Sequence, residues 1–169
     1  MNRTLTALPL TSERFAPFGD VLELTSQNKQ SMNSGRFERA HDLATIDVGL
    51  ETGGRPAISI ARCRTATAMP YRLDMLERHP KGSQSIMSLA QFSFVVVVAP
   101  AGEDVEEDAI AAFVTNGRQG INYHTGVWHM PAIAMQAGQE FLIVDRAADD
   151  KGGENCDEHY LSDPILIEV

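Results

Sequence analysis

Two short stretches of the chain hold most of the residue types that move protons or bind metal ions. The first is ERHPKGSQ, residues 77–84, with Glu77, His79 and Gln84; the second is HTGVWH, residues 124–129, with His124 and His129. An imidazole with a pKa of roughly 6.5 gives or takes a proton near neutrality. A carboxylate beside it can receive the same proton or orient the ring. Glu, His, Gln and His together form a mixed nitrogen–oxygen set, which suits a borderline or hard divalent ion and not a thiolate site. A solvated turn around Pro80-Lys81-Gly82 is the plainer use of these residues, so the flanking elements must decide.

Side chains of a strand alternate between its two faces. Over residues 71–79, Tyr71, Leu73 and Met75 share one parity, while Arg72, Asp74 and Arg78 share the other. The apolar parity is expected to face the core, and continuing it reaches Glu77 and then His79. Arg78 is expected to point outward. Further strands are expected near 84–89 and 92–98, the second apolar on both faces as a central strand would be. Residues 121–129 carry the second polar group, and alternation turns Trp128 away from His129. Asn116-Gly117 is a strong hairpin-turn dipeptide. Residues 132–136 and 140–146 read as another hairpin around Ala137-Gly138.

The remaining segments complete an all-β chain. TSERFAPFG, residues 11–19, predicts a short helix capped by Thr11 or Ser12 and ended by Pro17 and Gly19. Residues 20–24 read as the first strand. ETGGRP is a turn that leads into a strand over 57–63, where Arg62 shares parity with Ile58 and Ile60 and so is expected to point inward. Residues 103–112 are acidic and fit a loop, a helical turn or the start of a strand. Residues 149–158 read as loop, and PILIEV as a short apolar strand or docking tail. Many short strands with little helix predict an antiparallel sandwich or barrel over residues 1–169, a single domain whose inward polar residues line a pocket.

Composition narrows the partners. The 169 residues are 43% hydrophobic, enough for a sizeable core. The net charge is −9 with no basic block, which argues against nucleic acid or an anionic membrane as partner. A small anionic substrate remains compatible, provided that cations cluster locally. Cys63 and Cys156 have no CxxC spacing and read as reduced thiols of a cytoplasmic protein. The first residues lack the apolar run of a signal peptide, and residues 94–101 fall far short of the ~20 a spanning helix needs.

The spacing Glu77-x-His79-x4-Gln84 resembles the first cupin motif, HxHx4E, with Glu for the first His and Gln for the Glu. GVWH, residues 126–129, fits the GxxH of the second motif, with His124 where proline usually stands. The strings FxxFGDVLE, ERAHDLA, LERHPKGSQ, FVVVVA, FVTNGRQGINYHTGVWHMP and FLIVDRAADDKGGENCD resemble the ureidoglycolate lyase family over nearly the whole chain. That resemblance implies a cupin-type barrel with one or two short helices, a homodimer, and cleavage of (S)-ureidoglycolate to glyoxylate and urea in allantoin breakdown. The substrate is a hemiaminal, so its cleavage needs a base at the hydroxyl and an acid for the departing urea nitrogen.

On this reading His79, His129 and Glu77 are the catalytic candidates. Glu77, His79, Gln84 and His129 would also hold a divalent metal if one is used, with nickel or manganese implied by the family. Gln84, His124, Arg62, Lys81 and Arg39 are the substrate-binding candidates, the cations being needed for the carboxylate. Arg146 reads as a solvated charge, His41 with Asp42 as a loop pair, and His159 as a surface residue. Two other functions share these residues: a non-catalytic cupin that binds glyoxylate or a related acid, and another small-acid, metal-dependent cupin enzyme.

Overall fold

The computed structural model describes residues 3–148 and 155–169. Fifteen strands carry the fold among them. They are β1 (Thr4–Thr6), β2 (Leu8–Pro9), β3 (Gly19–Leu22), β4 (Lys29–Met32), β5 (Phe37–Ala40), β6 (Gly54–Arg62), β7 (Tyr71–Arg78) and β8 (Gln84–Ser88), followed by β9 (Phe94–Ala99), β10 (Ala111–Val114), β11 (Gly120–Tyr123), β12 (Trp128–His129), β13 (Ile133–Ala134), β14 (Glu140–Ala148) and β15 (Asp157–Glu168). The only α-helix among the described residues, α1, spans Ser12–Phe15. Thr11 caps it by accepting a hydrogen bond from the Arg14 amide, as its residue type predicts.

Two sheets face each other. The larger runs β1-β15-β7-β12-β9-β10-β2, with β13 also on β9; the smaller runs β3-β11-β8-β14-β6. Most pairings are antiparallel, but β1 joins β15 and β2 joins β10 in parallel. The chain is therefore the all-β, barrel-like architecture expected from its strands. β4 and β5 form a separate two-stranded hairpin.

β9 explains the two cores. Val95, Val97 and Ala99 join Leu73, Leu76, Trp128, Ile165 and Ile167 on the far face of the larger sheet. Phe94, Val96 and Val98 join Ile86, Phe113, Ile121, Tyr123 and Phe141, with Phe15 and Phe18, between the sheets. Its six residues are all buried, so both faces are apolar, as expected of a central strand. Phe15 is wholly buried and meets Phe113 edge-on with ring centroids 5.7 Å apart. This contact seats the short helix beneath β10.

Several local readings need correction. Asn116-Gly117 does turn the chain, with Gly117 at φ +86°, but β10 and β11 belong to different sheets and do not form a hairpin. β13 and β14 likewise lie in different sheets. Strands β1 and β2 precede the helix, and the β4–β5 hairpin was not foreseen. The C-terminal PILIEV is the end of the twelve-residue β15. The loop expected over 149–158 lies partly outside the described residues, at 149–154, and its last two residues, Asp157 and Glu158, already belong to β15, paired with Arg78 and Glu77.

Candidate active site

β7 and β12 bring the two polar stretches together. Glu77 and His129 are direct cross-strand partners, and Val98 is the partner of His129 on its other side. Val98 packs between the sheets, so Glu77 and His129 point there too. Trp128, one residue earlier, faces the opposite way, under the Arg78 guanidinium at 4.7 Å. His79 follows β7 and turns its ring to within 5.1 Å of the His129 ring, centroid to centroid. The expected convergence of the inward parity is therefore met at its end. It is not met along the whole strand, because Leu73 and Leu76, of opposite parity, are both buried in the far-face core. The register of β15 against β7 breaks between Tyr160 and Ile165, opposite these residues, and the simple alternation breaks with it.

The hydrogen bonds fix the chemistry of both imidazoles. His129 Nδ1 lies 2.9 Å from the Val127 carbonyl oxygen, and His79 Nδ1 lies 2.7 Å from the Asn155 carbonyl oxygen. A carbonyl only accepts, so each Nδ1 carries the hydrogen and each neutral ring presents a bare Nε2. His129 Nε2 stands 3.6 Å from Glu77 Oε1, and His79 Nε2 stands 4.0 Å from the same oxygen. The three acceptor atoms all lie within 4.8 Å of one another. The Gln84 amide, 3.2 Å from His79 Nε2, donates to it and also approaches Asp145 at 3.3 Å. His129 is 1% exposed, and its Nε2 has no hydrogen-bond partner. Burial, with the neighbouring His79 adding to it, pushes the His129 pKa down to about 3. The ring is therefore a neutral acceptor. Three converging acceptors and one buried nitrogen without a partner fit a divalent cation; the mixed nitrogen–oxygen set favours a borderline or hard ion.

Tyr123 completes the cluster. β11 places it opposite Gln84 of β8, and its ring stacks on His129 at 4.1 Å and 20°. The phenol is 1% exposed, and its hydroxyl has no partner. Burial, reinforced by the Glu77 charge, holds the phenol well above its ordinary pKa, so it stays protonated. Cys156, 3.6 Å from Glu77, is pushed up to about 11 by burial and then by that same carboxylate, which makes it a thiol and not a thiolate.

A cavity of about 470 Å3 meets one side of this cluster. Glu77 and Gln84 line it together with Ile86, Phe141 and Ile143, and Arg62, Arg64 and Thr65 stand among its other lining residues. His79 lines a second hollow of about 380 Å3 with Ser83, Asp145 and Asn155.

The other candidates stand apart from the trio, although Arg62 is among the residues lining the cavity. Arg62 does not point inward: it pairs with Glu140 across the β6–β14 ladder, Nε to Oε1 at 2.7 Å, on the face where Ile58 and Ile60 are exposed. The parity was read correctly, but that parity is the outer one. Arg39 sits on the β4–β5 hairpin, and Lys81 lines neither hollow. His124 is half exposed and bound to Asp20 at 3.1 Å, away from the trio. Arg146 is held by the Thr52 carbonyl and is not simply solvated. His159 is half-buried, edge-on to Trp128.

Tyr123 and Arg64 were missed. The shared parity of Ile121 and Tyr123 could have pointed the first inward. Nothing local marks the second, which depends on where the 63–67 loop is carried.

A profile of the family described as ureidoglycolate lyase matches residues 2–168. Curated relatives named ureidoglycolate lyase include one from Pseudomonas fluorescens (strain Pf0-1), 47% identical over 161 residues, covering 95% of this chain and 93% of that protein. Another, from Pseudomonas savastanoi pv. phaseolicola, is 44% identical over 165 residues, covering 98% and 94%. Among solved structures, RmlC from Streptococcus suis in complex with dTDP-D-xylose aligns with a TM-score of 0.46 at 12% identity, over 89% of this chain and 74% of that one.

Proposed function

The chain belongs to the ureidoglycolate lyase family, and on that premise we propose that it cleaves (S)-ureidoglycolate to glyoxylate and urea at the Glu77–His79–His129 cluster. The observation that carries the assignment of the site is the meeting of three proton-accepting atoms within 4.8 Å, one of them buried without a partner, beside a cavity large enough for the substrate.

The reaction moves one proton and breaks one bond. The hydroxyl of the hemiaminal gives its proton to an acceptor of the trio. The oxygen's electron pair forms the aldehyde C=O as the C–N bond breaks. The same proton, handed on, reaches the urea nitrogen, so none is gained or lost overall. Such assistance is typically worth roughly 10²–10⁴-fold in rate. Nickel or manganese fits the donor set of Glu77, His79, His129 and Gln84, and a bound divalent ion supplies Lewis-acid stabilisation of developing negative charge on oxygen. The two Nδ1–H donors, spent on the Asn155 and Val127 carbonyls, keep both rings oriented with Nε2 toward the reacting group.

The substrate carboxylate needs a cation, and Arg64 is the one we assign. It lines the cavity and forms no hydrogen bond or ion pair among the described residues, whereas Arg62 is committed to Glu140. The loop carrying it is pinned at Cys63, whose amide donates to the Gln139 carbonyl, and at Thr67, whose amide donates to the Ala134 carbonyl.

The same reading carries a homodimer, a cytoplasmic location and a role in allantoin breakdown. No helix among the described residues is long and apolar enough to cross a membrane.

Purified protein given (S)-ureidoglycolate tests the proposal. Equal amounts of glyoxylate and urea are expected, with the rate falling after chelation and returning with nickel or manganese. Binding of glyoxylate without any turnover of ureidoglycolate would instead favour a carrier and overturn the lyase reading.

A further inference from the structure

The trio supplies acceptors, and cleavage also needs a donor. Glu77 has no hydrogen to give as a carboxylate. His79 and His129 spend theirs on backbone carbonyls. The Gln84 amide is directed at His79 and Asp145. Negative charge nevertheless develops on the ureido group as its nitrogen departs, and a fixed donor aimed there is the usual way to stabilise it.

Tyr123 carries such a donor. Its hydroxyl is buried and without a partner, although buried polar groups are nearly always paired. The ring cannot turn away easily. It is stacked on His129 at 4.1 Å, flanked by Phe15 with centroids 6.3 Å apart, and held by a strand paired on both sides, to β3 and β8. An orphaned hydroxyl costs stability that a phenylalanine at this position would not. Its place beside the acceptor trio gives that cost a use.

We propose that the Tyr123 hydroxyl donates a hydrogen bond to the departing ureido group and stabilises the charge that gathers there as the C–N bond breaks. The proposal rests on the lyase reading above. Tyr123 keeps its proton throughout; the proton that completes urea is the one released by the substrate hydroxyl.

Tyr123→Phe removes one oxygen and leaves the stack in place. Its kcat should fall roughly 10²-fold, the usual loss on removing one fixed donor. KM should rise as well, because the hydroxyl already meets the ureido group of the bound substrate, and the melting temperature should stay the same or rise. Calorimetry with N-carbamoylglycine, the substrate without its hydroxyl, gives a second readout. The variant should bind it more weakly than the wild type while binding glyoxylate equally well, because only the former carries a ureido group. Wild-type kcat together with unchanged N-carbamoylglycine binding in Tyr123→Phe would overturn the inference, and so would a fall in kcat accompanied by a lowered melting temperature and equal loss of glyoxylate binding. A wild-type protein that neither cleaves ureidoglycolate nor binds N-carbamoylglycine would sink the lyase reading itself.

Discussion

Each imidazole of the cluster uses one nitrogen for position and the other for chemistry. The Nδ1–H bonds to Val127 and Asn155 are what make two bare Nε2 atoms face Glu77. Spacing along the chain was enough to single out Glu77, His79, Gln84 and His129, because strand alternation carries their direction. It was not enough for the cations, since parity alone does not say which face of a strand is the outer one. Arg62 illustrates this, sharing the exposed face of Ile58 and Ile60, where it pairs with Glu140. Arg64 carries the resulting prediction. A hydrogen bond to a charged group is worth roughly 1.5–3 kcal/mol, so Arg64→Gln should raise KM for ureidoglycolate roughly 10- to 100-fold. Steady-state kinetics should show kcat changed far less, with Arg64→Lys in between. Arg62→Gln should leave KM within roughly threefold, as loss of an exposed ion pair does. An unchanged KM in Arg64→Gln would remove it from the site.

Strands place these residues, and contacts distant in sequence place the strands. Asn116-Gly117 and Ala137-Gly138 were legible as turns because their backbone needs are local. Both Gly117 and Gly138 hold positive φ, +86° and +84°. Which sheet the chain enters after each turn depends on partners far away, and two sheet crossings therefore looked like hairpins. β11 matters most here, since it carries Tyr123 between β3 and β8. Gly19 of β3 is the partner of Tyr123, and a Cβ built on it would lie 1.9 Å from the Asn122 carbonyl oxygen. Gly19→Ala must therefore push β3 off β11. We expect a loss of about 3 kcal/mol in denaturant unfolding, of the order seen for overpacking, with lyase activity reduced as the Tyr123–His129 stack loosens. A variant of native stability and full activity would show that β3 does not hold the site.

At the scale of the whole molecule, strand alternation and turn signals foretold the all-β fold and the buried central strand, but not which face stays open. β6 is an edge strand of nine residues on the smaller sheet, with Ile58 73% and Ile60 58% exposed. A long apolar edge of this kind invites pairing with another chain. The proposed homodimer gives it a partner. Sedimentation of the Ile58→Asp, Ile60→Asp double variant should then show a monomer where the wild type sediments as a dimer; two dimers would move the interface elsewhere. The central claim concerns the interior, where Glu77, His79 and His129 meet. The most direct test is glyoxylate formation from (S)-ureidoglycolate by the wild type, His79→Ala and His129→Ala, side by side, with circular dichroism to confirm that each is folded. Each variant is predicted to turn over at least ~100-fold more slowly. Near-normal rates in both folded variants would contradict the account.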